Sequence, residues 1–323
     1  MHIDPYIVLG SAIIGLLVGM TGAGGGALMT PMLILLFGVT PSAAISSDLV
    51  AAVVMRPFGA GVHLRAGTVN LRLVRWMVLG SVPAAFLGAY ILHELGNSKS
   101  ATQHIETILG VALLLGAGAM ALRFVLDRRS GQNRLGIVHD IEARPLATIA
   151  IGIVGGLIVG MTSVGSGSLM IVLLLFVYPT IGANQLVGTD LTQAVPLTLA
   201  AAVGALIFGH VVLDVTGSLI IGSVPAVLVG SMLSSTIPDR YVRPAIAFVI
   251  FASGLKYVGL QTTALGWTLC GLLLAAAVAW AAMTRPWRAW MAPADASELL
   301  DEREPPSRRG DASDRARTAN SGR

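Results

Sequence analysis

Long apolar stretches separated by short polar or Pro/Gly punctuation run along most of the chain, at roughly 6–37, 43–62, 70–92, 105–126, 146–177, 184–209, 215–235, 241–260 and 265–283. Most are about 20 residues, enough to cross ~30 Å of hydrocarbon at ~1.5 Å per helical residue. The pattern predicts an all-α polytopic membrane protein with about eight or nine transmembrane segments. Two runs differ from the rest. Residues 6–37 and 146–177 are each 32 long and are interrupted in the middle by small residues, Gly22-Ala-Gly-Gly-Gly26 and Ser163-Val-Gly-Ser-Gly-Ser168. Glycine admits unusual backbone angles and weakens helical preference, so each long run is expected to be a helix, a break and a shorter half-helix.

The same two runs expose an internal repeat. Gly15–Met29 aligns without gaps on Gly156–Met170, with 10 of 15 positions identical. After one inserted residue the register continues: Ser47-Asp48-Leu49 meets Thr189-Asp190-Leu191, Gly67 meets Gly209, Gly80-Ser-Val-Pro83 meets Gly222-Ser-Val-Pro225, and Gly88 meets Gly230. A tetrapeptide and an aspartate at one constant offset exceed what composition bias produces. The repeat predicts a duplicated transporter-type architecture with a ninth run added. Its expected organisation is a first transmembrane repeat (1–126), a cytoplasmic linker (127–144), a second repeat with a terminal helix (145–284) and a disordered charged tail (285–323).

Basic residues of short loops orient such a chain. Arg65, Arg72 and Arg75 follow the second run, Arg128, Arg129, Arg134 and Arg144 lie between the halves, and Arg240 and Arg243 precede the eighth run. These groups and the Arg-rich tail share one side only if each 32-residue run enters and leaves on the same side. The halves are then inverted, with the N-terminus outside and the tail inside. If each long run crosses once, the halves are parallel.

Composition agrees and narrows the class. Charged residues make up 12% of the chain against 54% apolar ones, with 38 glycines and a mean hydropathy of +0.78; soluble proteins carry about 25% charged residues. Residues 285–323 hold eight Lys/Arg and seven Asp/Glu, so the net charge of +4 describes loops and a tail and does not point to nucleic acid. The single cysteine, Cys270, can form neither an internal disulfide nor a thiolate metal site.

Duplicated breaks have a physical use: they leave half-helix N-termini, with free N–H groups and partial positive charge, inside the protein. Such termini bind anions. Candidate ligands are Thr21, Gly22, Gly24, Gly25 and Gly26 in the first half and Thr162, Ser163, Gly165, Ser166, Gly167 and Ser168 in the second. The alternative is that these small residues only let helices pack closely. Gly22–Gly26 followed by Asp48 imitates a dinucleotide fingerprint, but its membrane-length apolar context argues against a nucleotide site.

Ionisable residues inside apolar runs are costly and are paired or functional by default. Asp48 and Asp190 occupy equivalent positions, each in a polar cluster that includes Gln193 in the second half; the competing role is an N-terminal helix cap. Arg56, two helical turns after Asp48 and next to Pro57, could bind an oxyanion through its planar fork of donors, pair with an aspartate, or snorkel to the interface. His63 and His210 could shuttle protons, but both sit near run ends and read as interfacial.

Taken together, the breaks at Gly15–Pro31 and Gly156–Met170, the Asp-containing turns Ser46–Leu49 and Gly188–Leu191, and the paired glycine series 67/80/88 and 209/222/230 resemble the sulfite exporter TauE/SafE family of membrane permeases. The resemblance covers about residues 5–260. It implies transport of sulfite, organosulfonates or related small anions by a bacterial or plant membrane protein, expected here in a bacterial inner membrane. The sequence offers no HExxH, no GxSxG and no Cys/His cluster, so no enzymatic activity is expected, and no metal or organic cofactor is implied. Departures are Ser163, Ser166 and Ser168 where a glycine run is expected, and Val172 where Pro31 would recur. The expected partners are the bilayer and a small anion moved by alternating access, with protons or another ion as coupling candidates. An anion channel, or a transporter of a different small anion, is the alternative.

Overall fold

The computed structural model describes residues 3–21, 24–96, 101–129, 143–233, 239–261, 264 and 266–271. The chain divides between Leu265 and Gly266. Beyond the division the described residues, 266–271, are helical. Most of the ninth run, most of the linker and all of the tail lie outside the described residues.

The first unit is built of helices: α1 (Pro5–Thr21), α2 (Gly26–Leu35), α3 (Pro41–Arg65), α4 (Leu71–Gly96), α5 (Ala101–Arg129), α6 (Pro145–Thr162), α7 (Leu169–Val177), α8 (Ala183–Phe208), α9 (Leu213–Leu233) and α10 (Asp239–Tyr257). Among the described residues no strand occurs. Within α3, α4, α5, α6, α8 and α9 lie six segments long and apolar enough to cross a membrane. Both 32-residue runs are broken where the small residues predicted: α1 and α2 flank the first break, α6 and α7 the second.

Each broken run is a re-entrant hairpin. Tyr178, just past the end of α7, returns to the start of α6: the Arg144 N–H donates to Tyr178 Oη at 2.7 Å, and Thr148 Oγ1 lies 2.6 Å from the same phenol. In the first half Gly10 of α1 packs against Met32 and Phe37, so α2 folds back along α1. The hairpin arms α2 and α7, of 10 and 9 residues, are about 15 Å long at ~1.5 Å per residue, half the hydrocarbon thickness.

Helix directions decide the relation between the repeats. Along the contact between α3 and α8, Ser46 faces Gly209, Gly59 faces Leu191 and His63 faces Gly188. Numbers rise on one helix as they fall on the other, so the two run antiparallel. They are also the equivalent helices that carry Asp48 and Asp190. Equivalent elements pointing in opposite directions mean that the repeats are inverted, related by a pseudo-two-fold axis across the helices.

The repeats are interlocked rather than side by side. Hairpin arm α1 lies parallel to α9 of the other repeat, with Gly222 against Val8 and Ser11 and Gly230 against Leu16 and Gly19. The mirrored contact joins α6 to α4, with Gly80 against Ile149 and Ile153 and Gly88 against Leu157 and Gly160. Backbone touches backbone at these points: a Cβ on Gly15 would stand 2.8 Å from the Ser223 carbonyl oxygen, and one on Gly19 or Gly160 would collide with the carbonyl of Val227 or Ala85. Lipid tails are as apolar as leucine, so helices in a bilayer associate through close packing of this kind rather than through hydrophobic burial. The connecting loops are tied across the repeats as well. The Asn70 N–H donates to Thr189 Oγ1 at 3.0 Å and, at the inverted position, the Val212 N–H donates to Ser47 Oγ at 3.1 Å.

Arg65 at the end of α3, Arg72 and Arg75 at the start of α4, and Arg144 before α6 gather at one end of the bundle, where Arg72, Arg75 and Pro145 border one surface groove. Sharing one end follows from the two hairpins.

Overpacking a tight contact costs about 1–3 kcal/mol. Gly19→Val and Gly160→Val are each expected to lower the melting temperature of the purified protein by at least about 3 °C. Gly118, which has open space around it, should accept alanine with no loss. Equal melting temperatures for all three variants would show that these contacts do not hold the repeats together.

Candidate functional site

The tips of the two hairpins meet in the middle of the bundle. A Cβ on Gly24 would collide with the Ser166 carbonyl, and one on Gly26 with the Ser163 carbonyl. The tips are also where the backbone leaves its ordinary angles. Gly24 and Gly165, equivalent in the repeat, both have positive φ, +77° and +120°, and Gly167 has +93°. Ser163, the left-handed cap that ends α6, has φ +59° and is the only non-glycine with positive φ among the described residues. Its counterpart in the first repeat is Gly22, which lies outside the described residues.

Beyond the tips the short helices α2 and α7 start without a side-chain cap at either N-terminus. Thr21 and Thr162, expected to offer hydroxyls to a ligand, instead donate back into their own helices, to the Leu17 and Ile158 carbonyls at 2.7 and 2.6 Å. Ser168 is buried near Gly116 of α5.

A cavity of about 140 Å³ lies against this crossing. Gly24 and Gly25 from one tip and Ser166 and Gly167 from the other border it, with Arg56, Gly59 and His63 of α3, Asp190 of α8 and Ser231 of α9. At ~30 Å³ per water it has room for a few waters or one small oxyanion. It extends from the tips toward the arginine-rich end, since α3 finishes there and α8 begins there.

Arg56 is the dominant group on this wall. It is 6% exposed, and none of its three guanidinium nitrogens has a hydrogen-bond partner. The helix runs on through Pro57, so Arg56 points inward without a break in α3. Asp48 and Asp190 both lie within its electrostatic reach, but neither bonds it. A buried charge without partners is expensive. Five forked donors on a residue that borders a small cavity are suited to a planar or tetrahedral oxyanion.

The two aspartates, equivalent in sequence, have different surroundings. Asp48 Oδ2 accepts from Thr30 Oγ1 at 2.9 Å and Oδ1 has no partner; Ser163 stands nearby, but its hydroxyl has no hydrogen-bond partner. Asp190 Oδ1 accepts from Gln193 Nε2 at 3.2 Å, Gln193 Oε1 accepts from Ser81 Oγ at 3.2 Å, and Asp190 Oδ2 has no partner. Neither aspartate caps a helix. Each is the eighth residue of its helix, and the N-caps are Thr40 and Gly182. The capping role considered from sequence is therefore excluded by position.

Of the residues singled out in sequence, Gly24, Gly25, Arg56, Ser166, Gly167 and Asp190 share the cavity wall. Gly26, Ser163, Asp48 and Gln193 form the layer behind it, and Gly165 shapes the second tip. His63 corrects an expectation: it borders the cavity rather than the interface, with Nδ1 2.9 Å from Thr68 Oγ1. His210 is exposed at the opposite end. Thr30, the Asp48 partner, escaped sequence reading, although a lone hydroxyl in the apolar half-helix α2 was its available signal.

A left-handed non-glycine residue costs about 1–2 kcal/mol. Ser163→Gly is expected to raise the melting temperature by roughly 2–4 °C, because it relieves that backbone and removes a hydroxyl that has no partner. A lower melting temperature would mean that the serine side chain stabilises the tip.

The comparisons with known proteins agree with a multi-pass membrane protein. Residues 7–257 match the family described as Sulfite exporter TauE/SafE. Two similar curated proteins are both from Bacillus subtilis. The probable membrane transporter protein YjnA is 40% identical over 256 residues, 78% of this chain and 98% of that protein. The probable membrane transporter protein YunE is 27% identical over 224 residues, 64% of this chain and 80% of that protein. No solved structure matches. With a match across nearly the whole helical unit and a 40% identical relative covered over 98% of its length, the chain belongs to the sulfite exporter TauE/SafE family.

Proposed function

We propose that this multi-pass membrane permease moves small oxyanions, sulfite or organosulfur acids such as sulfonates, by alternating access through the cavity at the hairpin tips. One observation carries the reading: a buried guanidinium without hydrogen-bond partners faces a cavity bounded by both duplicated breaks. Arg56 is the principal anion ligand. The uncapped starts of α2 and α7 add positive potential, and the glycines let the anion approach the backbone.

Inverted symmetry supports a carrier rather than a channel. Leu191, Ser231 and His63 beside the open cavity have as counterparts Leu49, Ala89 and Ala205, which border a second cavity toward the opposite end. The first measures about 140 Å³ and the second about 30 Å³. One vestibule is open and its inverted counterpart nearly closed, which is the asymmetry that rocking of inverted repeats would exchange. Because α1 is locked on α9 and α6 on α4, the bodies that rock are these interlocked pairs, each drawn from both repeats. By the positive-inside rule the arginine-rich end faces the cytoplasm of a bacterial cell, so the open vestibule is the cytoplasmic one and the N-terminus is outside.

Proteoliposomes carrying the protein should accumulate labelled sulfite or a small sulfonate. Arg56→Ala should abolish the flux, and Arg56→Lys, which keeps the charge but loses the planar fork, should reduce it at least about tenfold, the equivalent of one good charge-assisted hydrogen bond. Unchanged flux in both variants would remove Arg56 from the site.

A further inference from the structure

The charges buried around the cavity do not balance for an anion. Arg56 is one cation, and Asp48 and Asp190, both 1% exposed, are two carboxyls within its reach. With both carboxylates ionised, these three buried groups already hold one excess negative charge before any anion arrives, and the further cation that acts on Asp190, Arg123 of α5, is partly exposed and screened by solvent. An oxyanion that takes the donors of Arg56 adds a second, and it also withdraws the compensation that the guanidinium provides to the carboxylates. In a water-poor interior two uncompensated charges are not tolerated; one must be neutralised as the anion binds.

Geometry distinguishes the two carboxyls. Asp190 borders the cavity and Asp48 does not. Asp190 Oδ1 is occupied by Gln193, whereas Oδ2 is buried without a partner. The other titratable or charged groups facing Asp190 are Arg56, His63 and Asp48 from α3 and the partly exposed Arg123 from α5. Ser81 of α4 reaches it only through Gln193, and the Gly167 amide approaches it from the second hairpin tip.

We propose that Asp190 takes up one proton, at Oδ2, for each monovalent anion that binds Arg56, so that anion and proton occupy the cavity together and cross as an electroneutral pair. The proton comes from water in the open vestibule and forms an O–H bond on the carboxylate; nothing is oxidised or reduced. The neutral carboxyl then has a hydrogen to donate to the anion, which turns a repelling group into a ligand. Occupancy of the cavity by the anion alone is disfavoured, as a strictly coupled symporter requires. This coupling rests on the anion reading of the same cavity.

The test uses the full-length protein purified in detergent at low buffer strength, with a pH indicator and methanesulfonate as the probe. Methanesulfonate carries no titratable group near neutral pH, so any proton removed from solution is bound by the protein. Binding is followed in parallel by thermal shift. Saturation should remove about one proton per protein, and the apparent Kd should rise by up to about tenfold per pH unit toward the alkaline side, the limit for linkage to one proton. Asp190→Asn should bind the anion with no proton uptake and with a flattened pH profile, and Asp190→Glu should restore the uptake. Binding by the wild type without proton uptake overturns the coupling and leaves the anion site standing. Uptake retained in Asp190→Asn but lost in His63→Gln moves the proton to the histidine and also overturns it. Absence of methanesulfonate binding overturns both the anion site and the coupling.

Discussion

Backbone contact between glycine-lined helix faces is the constraint on which the rest of this structure depends. In lipid, apolar side chains gain nothing by leaving one apolar surface for another. What brings α1 onto α9 and α6 onto α4 is the absence of side chains at Gly15, Gly19, Gly222 and Gly230 and at their partners Gly156, Gly160, Gly80 and Gly88. Each contact joins a hairpin arm of one repeat to the fourth helix of the other. The tips are therefore held at the pseudo-two-fold axis from both sides, and their meeting point is a consequence of the interlock.

The site shows how symmetry in the chain becomes asymmetry in chemistry. Inversion puts Thr198 where Arg56 would recur, and that threonine donates to the Ala194 carbonyl of its own helix at 2.6 Å. One half contributes the cation and the other the carboxyl that borders the cavity. With arginine at both positions the two carboxylates would be matched by two guanidiniums, and an arriving anion would leave one uncompensated charge rather than two.

Much of this architecture was legible in the chain. The broken runs, the repeat offset and the uneven distribution of arginines each have a local cause, either helix-breaking residues or charges excluded from hydrocarbon, and α1/α2 and α6/α7 fall on either side of the predicted breaks. The site was legible in part. Asp48, Arg56 and Asp190 stand out because charge inside apolar runs is costly wherever the helices go. The surroundings of His63 were not legible, because a residue near a run end reads as interfacial until the packing of α3 on α8 puts it beside the Gly188 segment. Nor were the different surroundings of the two aspartates, since Thr30 reaches Asp48 across a hairpin and Gln193 reaches Asp190 along its own helix.

The sequence by itself determined which segments are helical, where two of them break, that the chain is duplicated and which few charges stay inside. These follow from local propensity, hydropathy and register. Only the tertiary structure decided between inverted and parallel repeats, because direction is carried by which residues of α3 touch which residues of α8, and no composition records that. It alone decided that Arg56 finds neither aspartate as a hydrogen-bond partner and faces a cavity instead. Pairing depends on a few ångströms between side chains from different helices, a distance set by how closely the glycine faces let those helices approach.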